Sequence, residues 1–319
     1  MKRIAVITSG GDAPGMNAAV RAVVREAIYS GLEVLGVQRG YKGLLENQLI
    51  RLSLRSVSGI INRGGTILKT GRCPEMKTAA GLKKAVKNLK NNGIEGLVGI
   101  GGDGSLKAAM AISNHGIPAV SIPASIDNDV YGTDETIGFD TAMDTAVEAI
   151  DKIRDTAASH ERIFIVEVMG REHGFLALSI GLASGAEFIL IPEVKYNTEK
   201  ICAQLKRDYH KGKTSVIIVF AEGVGNPYEL AEKINKRIGI DVRVSSLGYI
   251  QRGGTPQARS RILACMYGAH AVKLLLKKKT NRLVVLKDGK VTDIPFSMVL
   301  NNEKKINMSL YKLAMELSI

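Results

Sequence analysis

Tryptophan is absent from this chain of 319 residues, and aromatic residues make up only 5% of it. Proteins that read single-stranded nucleic acid stack bases on aromatics set among basic residues. No such interleaving occurs here, so no nucleic-acid partner is expected. Cysteine is scarce too: Cys73, Cys202 and Cys265 are odd in number and far apart, with no CxxC and no Cys/His cluster. That excludes a disulfide framework and a zinc site, and it fits a reducing compartment. Long apolar runs are also missing. The longest, such as Val216 to Ala221, fall well short of the roughly 18 residues that span a bilayer. Behind the opening Met-Lys-Arg, the stretch Ile4 to Ile7 is too short for a signal-peptide core of roughly 7–15 residues. The expectation is a cytoplasmic protein without a membrane partner.

Basic charge and glycine are what the chain has in excess. Lys and Arg number 44 against 31 Asp and Glu, a net charge of +13. An excess of that size favours anionic partners. Nucleic acid, an anionic membrane surface and small phosphorylated ligands are the three classes it admits. Lys83, Lys84, Lys87 and Lys90 lie on a helical stretch and read as a solvated face. The 34 glycines exceed ordinary usage of about 7% without any collagen repeat, which suggests tight turns and close backbone approach to ligands.

Short apolar runs alternate with amphipathic stretches. Strands are predicted at Ile4–Thr8, Glu33–Val37, Gly96–Ile100, Ala119–Ile122, Ile163–Val168, Phe188–Ile191, Val216–Ala221 and Val242–Leu247. Helices are predicted at Gly15–Tyr29, Ala79–Leu89, Ser105–Ser113, Thr141–Thr156, Thr198–His210, Pro227–Arg237 and Gln257–Leu276. Near-continuous apolar strands alternating with helices indicate an α/β fold with mainly parallel sheet covered on both faces. Asp288-Gly289 reads as a hairpin turn, hence one antiparallel edge. No linker or repeat marks a domain boundary.

In such folds ligands sit beyond the carboxyl ends of the strands, and four segments there carry chemistry. Ser9 to Asn17 contains Gly10, Gly11 and Gly15 but lacks the Lys-Ser/Thr ending of a P-loop. Alone it fits both an anion at a helix start and an ordinary turn. Gly101-Gly102-Asp103-Gly104-Ser105 follows an apolar strand and suits Mg²⁺ held with nucleotide phosphates. The plainer reading, a turn with Ser105 as helix cap, leaves the glycines and a buried-looking Asp103 unexplained. Ser125-Ile126-Asp127-Asn128-Asp129 places two carboxylates on one side if the segment is extended. One could accept a hydroxyl proton while another helps to hold metal. Finally Arg162, Arg171, Arg243 and Arg252 stand at strand ends, where guanidinium forks match phosphate oxygens. His160, His173 and His210 show no metal spacing.

Taken together, Gly10–Asn17, Gly64–Pro74, Gly101–Ser105, Ser125–Asp129, Asp151–Ala157, Met169–Arg171 and Gln251–Gly254 resemble the bacterial ATP-dependent 6-phosphofructokinase family from Met1 to Ile319. The resemblance implies two doubly wound, mainly parallel sheets covered by helices, with the chain crossing between lobes. The ATP-binding lobe would be residues 1–138 plus about 251–305, and the fructose 6-phosphate lobe 139–250 plus about 306–319. It implies transfer of the γ-phosphoryl group of Mg-ATP to the 1-hydroxyl of fructose 6-phosphate, in a homotetramer.

Carried over by position, the resemblance makes Asp127 the base, and Asp103 and Asp129 the Mg²⁺ ligands. Gly11, Tyr41, Arg72, Cys73, Gly102, Asp103, Gly104 and Ser105 would bind ATP. Arg171, with Arg72 and Gly11, would stabilise the transferring group. Ser125, Arg162, Met169, Gly170, Glu222, Arg243, Tyr249 and Arg252 would bind the sugar phosphate, with Arg162 and Arg243 reaching in from a neighbouring subunit. Arg21, Arg25, Arg154, Gly185, Glu187, Lys211 and Lys213 would form an effector site for ADP and phosphoenolpyruvate, with Gly59 replacing an aspartate often found there. Tyr249 stands where a histidine is usual, which implies weaker fructose 6-phosphate binding. Gly104 and Ala124 replace the aspartate and lysine of pyrophosphate-using relatives, so ATP is expected as donor. A pyrophosphate-dependent enzyme and a catalytically weakened regulatory paralogue are the alternatives.

Overall fold

The computed structural model describes residues 1–318, and Ile319, which closes the second expected lobe, lies outside the described residues. Two compact units emerge. The first holds Met1–Thr141 and Arg252–Lys304, and the second holds Ala142–Gln251 and the residues from Lys305 onward.

The first unit opens with β1 (Arg3–Thr8), α1 (Met16–Tyr29), β2 (Glu33–Val37), α2 (Gly40–Leu45) and β3 (Leu49–Leu52). It continues with α3 (Ala79–Asn91), β4 (Gly96–Gly101), α4 (Asp103–Asn114) and β5 (Ala119–Pro123). Helix α5 (Phe139–His160) carries the chain into the second unit. That unit is built from β6 (Ile163–Val168), α6 (Phe175–Ala183), β7 (Phe188–Leu190), α7 (Thr198–His210), β8 (Val216–Ala221), α8 (Pro227–Ile238) and β9 (Val242–Ser246). The chain returns to the first unit for α9 (Ala258–Leu276), β10 (Arg282–Lys287), β11 (Lys290–Pro295) and α10 (Phe296–Leu300), and α11 (Met308–Leu317) ends in the second.

The first sheet runs β11-β10-β5-β4-β1-β2-β3 and the second β7-β8-β6-β9. Every pairing is parallel except β10 with β11 and β2 with β3. β4 and β8 are buried along their whole length, as apolar strands covered on both faces must be. The β10–β11 hairpin turns at Asp288-Gly289 as expected. The second antiparallel edge, β3, is a departure: it is only four residues long and pairs Val34 with Leu52.

Helix α6 is also new. Phe175, Leu176, Ala177, Leu178 and Ile180 are all buried, so the segment has no polar face and no helical stripe to read. Helix α4 starts two residues earlier than expected, on Gly102 as N-cap. Ser105 is therefore not a cap, and its hydroxyl serves another purpose.

Candidate active site

In the first sheet β1 lies between β4 and β2. The chain leaves β1 for β2 in one direction and leaves β4 for β5 in the other. The point where the winding reverses is where α/β sheets bind ligands, and the loops after β1 and β4 meet there. Ser9 N donates to Ile100 O at 3.0 Å. The buried Ser105 Oγ lies 3.0 Å from Ser9 O and 2.8 Å from Ser9 Oγ. A Cβ on Gly101 would sit 2.3 Å from Ser9 O and 2.4 Å from Ser105 Oγ, so no other residue fits between these loops. Gly102, Asp103, Gly104 and Ser105 form the start of α4, and a helix start is favourable to an anion. Asp103 is exposed rather than buried. An acidic side chain in the first helical turn is favoured by the helix dipole, and water keeps it charged.

Beside these loops lies a cavity of about 630 Å³, within the usual range for small-molecule sites. Tyr41, Arg72, Cys73, Gly104 and Ser105 line it, whereas Gly11, Gly102 and Asp103 do not. The Tyr41 hydroxyl donates to Ser105 O at 3.0 Å, and burial pushes its pKa above the usual phenol range. Burial also raises the Cys73 thiol, which sits 3.4 Å from Glu75 Oε2. The apolar wall comes from Met76, Leu82, Ala108 and Ala111, none of which stands out in the sequence. These are ordinary apolar residues on or beside α3 and α4, and only the packing of those elements marks them.

The segment after β5 is tied to the same place. Ala124 N donates to Gly101 O at 3.1 Å, and Ser125 N to Ile137 O at 3.1 Å. A Cβ on Gly102 would lie 3.9 Å from Ser125 Cβ. Asp127 and Asp129 do not alternate along a strand, because the segment is a turn in which Asn128 takes a left-handed φ of 51°. Asp127 is buried, at 2% exposure, and Asp129 is half-buried. Asp127 N donates to Ser125 Oγ at 3.2 Å. Asn128 Oδ1 accepts from Thr136 N at 3.0 Å, and its Nδ2 donates to Asp134 O at 3.1 Å. Arg252 reaches the β1 loop, donating to Asp12 O at 3.3 Å, and a Cβ on Gly11 would come within 2.4 Å of its guanidinium.

In the second unit the loops after β6, β8 and β9 converge. Arg171 has a left-handed φ of 54°, and its N–H donates to Glu222 Oε1. A Cβ on Gly223 would be 2.2 Å from Arg171 O, which fixes that backbone from its other side. Met169 N donates to Oε1 of the fully buried Gln251 at 2.9 Å. Met169, Gly170, Arg171 and Glu222 are thus brought together, with Gln251 as a support that had no role in the sequence reading. Tyr249 stands out in solvent, 82% exposed.

Arg162 and Arg243 sit elsewhere. Arg162 precedes β6 and Arg243 is the second residue of β9, both near the amino end of the sheet. β6 is six residues long, roughly 17 Å at 3.3 Å per residue, which separates them from the Met169–Arg171 loop. Asp241 holds both: its Oδ2 lies 2.9 Å from Arg162 Nε and 2.9 Å from Arg243 Nη2.

The expected effector residues fall into two groups. In the second unit the buried Glu187 pairs with Lys213 at 3.1 Å and Arg154 at 3.5 Å, and Arg154 donates to Gly185 O at 3.1 Å. Lys211 is exposed and ends α7 as its C-cap. Arg21 and Arg25 line a cavity of about 490 Å³ in the first unit with Leu54 and Cys265.

A family model described as Phosphofructokinase matches residues 3–275. The chain is 54% identical over 319 residues, the full length of both, to the ATP-dependent 6-phosphofructokinases of Bacillus velezensis and Bacillus subtilis. Among solved structures, phosphofructokinase from Saccharomyces cerevisiae superposes with a TM-score of 0.89 at 35% identity. The match covers 100% of this chain and 48% of the yeast chain. A pyrophosphate-dependent phosphofructokinase from Marinobacter aquaeolei matches with a TM-score of 0.87 over 97% of this chain and 86% of its own, at 23% identity, a likeness of fold alone. With the family model spanning most of the sequence and full-length relatives above half identity, the chain belongs to the phosphofructokinase family.

Proposed function

We infer that this chain transfers the γ-phosphoryl group of ATP to the 1-hydroxyl of fructose 6-phosphate, giving fructose 1,6-bisphosphate and ADP. The observation that carries the reading is the junction of the β1 and β4 loops, locked by Ser9 and Ser105, beside a cavity of about 630 Å³ and a buried Asp127. In this reading the adenosine part lies against Tyr41, Met76, Leu82 and Ala108, and the phosphates meet Gly11 and the start of α4. The Asp127 carboxylate takes the proton from the 1-hydroxyl as that oxygen bonds to the γ-phosphorus. The bond from γ-phosphorus to the bridging oxygen breaks, and that oxygen leaves on ADP. Arg171 and Arg72 neutralise charge on the transferring group, and Ser125, Glu222, Tyr249 and Arg252 orient the sugar phosphate.

Among the described residues no three His, Cys, Asp or Glu side chains cluster as a metal cage. Mg²⁺ does not need one, since it keeps waters and takes phosphate oxygens with one or two carboxylates. The exposed Asp103 and half-buried Asp129 offer hard oxygen donors of that kind, and would hold it. The bound ion would supply charge neutralisation across the β- and γ-phosphates.

Gly104 carries the choice of donor. It lines the cavity and a Cβ there meets nothing within 4 Å, so the protein itself has no need of glycine. Gly104→Asp should fold normally, with a melting temperature unchanged or slightly raised, because an aspartate in the first helical turn suits the dipole. Its kcat/KM for ATP should fall about 10–100-fold, because a carboxylate then faces the nucleotide's phosphates. A coupled assay with fructose 6-phosphate, comparing ATP with pyrophosphate in both proteins, tests this. Equal ATP turnover in the two would refute the assignment, and wild-type turnover on pyrophosphate alone would favour the pyrophosphate-dependent reading.

Tyr249 offers a phenol where a cation would serve better. Its exposure leaves room for change at little cost in stability. Tyr249→His should lower the KM for fructose 6-phosphate about tenfold below pH 6.5, the gain of one charge-assisted hydrogen bond. An unchanged KM there rules the idea out.

Arg162 and Arg243, remote from the Met169–Arg171 loop of their own sheet, are proposed to serve the site of a neighbouring copy in a homotetramer. Loss of specific activity on dilution, tracked with the sedimentation coefficient, would support this; activity retained in a monomer would refute it. The Arg154–Glu187–Lys213 cluster and the Arg21–Arg25 cavity are proposed as the two parts of an ADP and phosphoenolpyruvate site. The same assay with each effector added reads that directly, and cooperativity unmoved by either would dismiss it.

A further inference from the structure

We propose that Lys304 is a positioning residue for the Asp127 loop, its ammonium fixing the backbone turn from which the carboxylate is aimed. The inference rests on Asp127 acting as the base. Lys304 Nζ donates to Asn128 O at 2.8 Å and lies 3.3 Å from Asp134 O. The two carbonyls stand on opposite sides of the turn that follows Asp127. Asn128 takes a left-handed φ of 51°, a region that asparagine tolerates, so the contacts around it select this turn from others open to the segment.

The far side of the turn is itself anchored. Asp134 N donates to Leu286 O at 2.8 Å, and Asp134 Oδ2 accepts from Asp288 N at 2.9 Å. Lys304 therefore ties the side of the turn next to Asp127 to a side held by β10 and its hairpin. A hydrophobic residue would fill the space without the cost of desolvating a charge. A cation on a long arm reaches both carbonyls, and burial pulls the Lys304 pKa down to about 8 despite Asp134, Asp129 and Glu135 nearby.

Steady-state kinetics of Lys304→Met, Lys304→Arg and the exposed neighbour Lys305→Met test the proposal, each in the wild-type and Asp127→Ser backgrounds. Lys304→Met should lower kcat about 10–100-fold, the scale of a slightly misplaced reacting group, with the KM for ATP within about twofold. Lys304→Arg, which keeps cationic donors, should recover most of the rate, and Lys305→Met should leave it unchanged. In the Asp127→Ser background Lys304→Met should change the residual kcat by less than about twofold, since there is no base left to aim. A Lys304→Met kcat within about twofold of wild type, or the same fold-loss in both backgrounds, would overturn it. Should the methionine variant not fold, Lys304→Gln takes its place under the same two criteria. Absence of phosphofructokinase turnover in the wild type would instead overturn the reading on which the proposal rests.

Discussion

Asp127→Ser is expected to lower kcat by about 10²–10⁴-fold, the range a general base contributes, while both KM values stay within a few-fold. The side chain is 2% exposed, in a turn whose backbone is held by Ser125, Thr136, Asp134 and Lys304. The measurement is kcat and both KM values beside a thermal melt. A variant that keeps wild-type kcat means that another group, or water, takes the hydroxyl proton.

Arg171→Asn is expected to reduce kcat about 10³-fold, near the lower end of what an arginine at a transferring phosphoryl group supplies. Asparagine is chosen because Arg171 sits at φ 54°, a region that asparagine tolerates. The backbone is fixed independently of the guanidinium, by the bond from Arg171 N to Glu222 and by the close approach of Gly223. The loss should thus report charge and hydrogen bonding, not a displaced loop. Comparing kcat/KM for ATP and for fructose 6-phosphate locates the effect: an interaction made only in the transition state lowers kcat and both ratios alike. A variant with unchanged kcat and a raised KM for the sugar would make Arg171 a binding residue only.

The parallel strands were legible because burial on both faces leaves almost nothing but apolar residues in them, as in Val216 to Ala221. The glycine-rich loops were legible for a related reason: Gly101 has no alternative between Ser9 and Ser105. What escaped depends on long-range packing. The first crossing between units falls inside α5, so no linker composition announces it. The turn at Asn128 looked extended because its left-handed backbone is imposed by Thr136 and Asp134. Asp103 looked buried among glycines, yet it opens a helix at the surface. Lys304 was invisible for the simplest reason. Its acceptors are backbone carbonyls, 176 residues away at Asn128, and any residue type supplies those.

Gly101 and Gly104 stand three residues apart and face different selection. A mutation at Gly101 collides with the chain itself and is purged as a misfolded protein, whatever the cell needs from the enzyme. A mutation at Gly104 meets open space, so quality control has nothing to recognise. Glycine and aspartate codons differ by one base, and the product would be a stable protein that turns over ATP poorly. On the role proposed for Gly104, the fold places no demand on that position, and the donor would be set by the absence of a side chain alone.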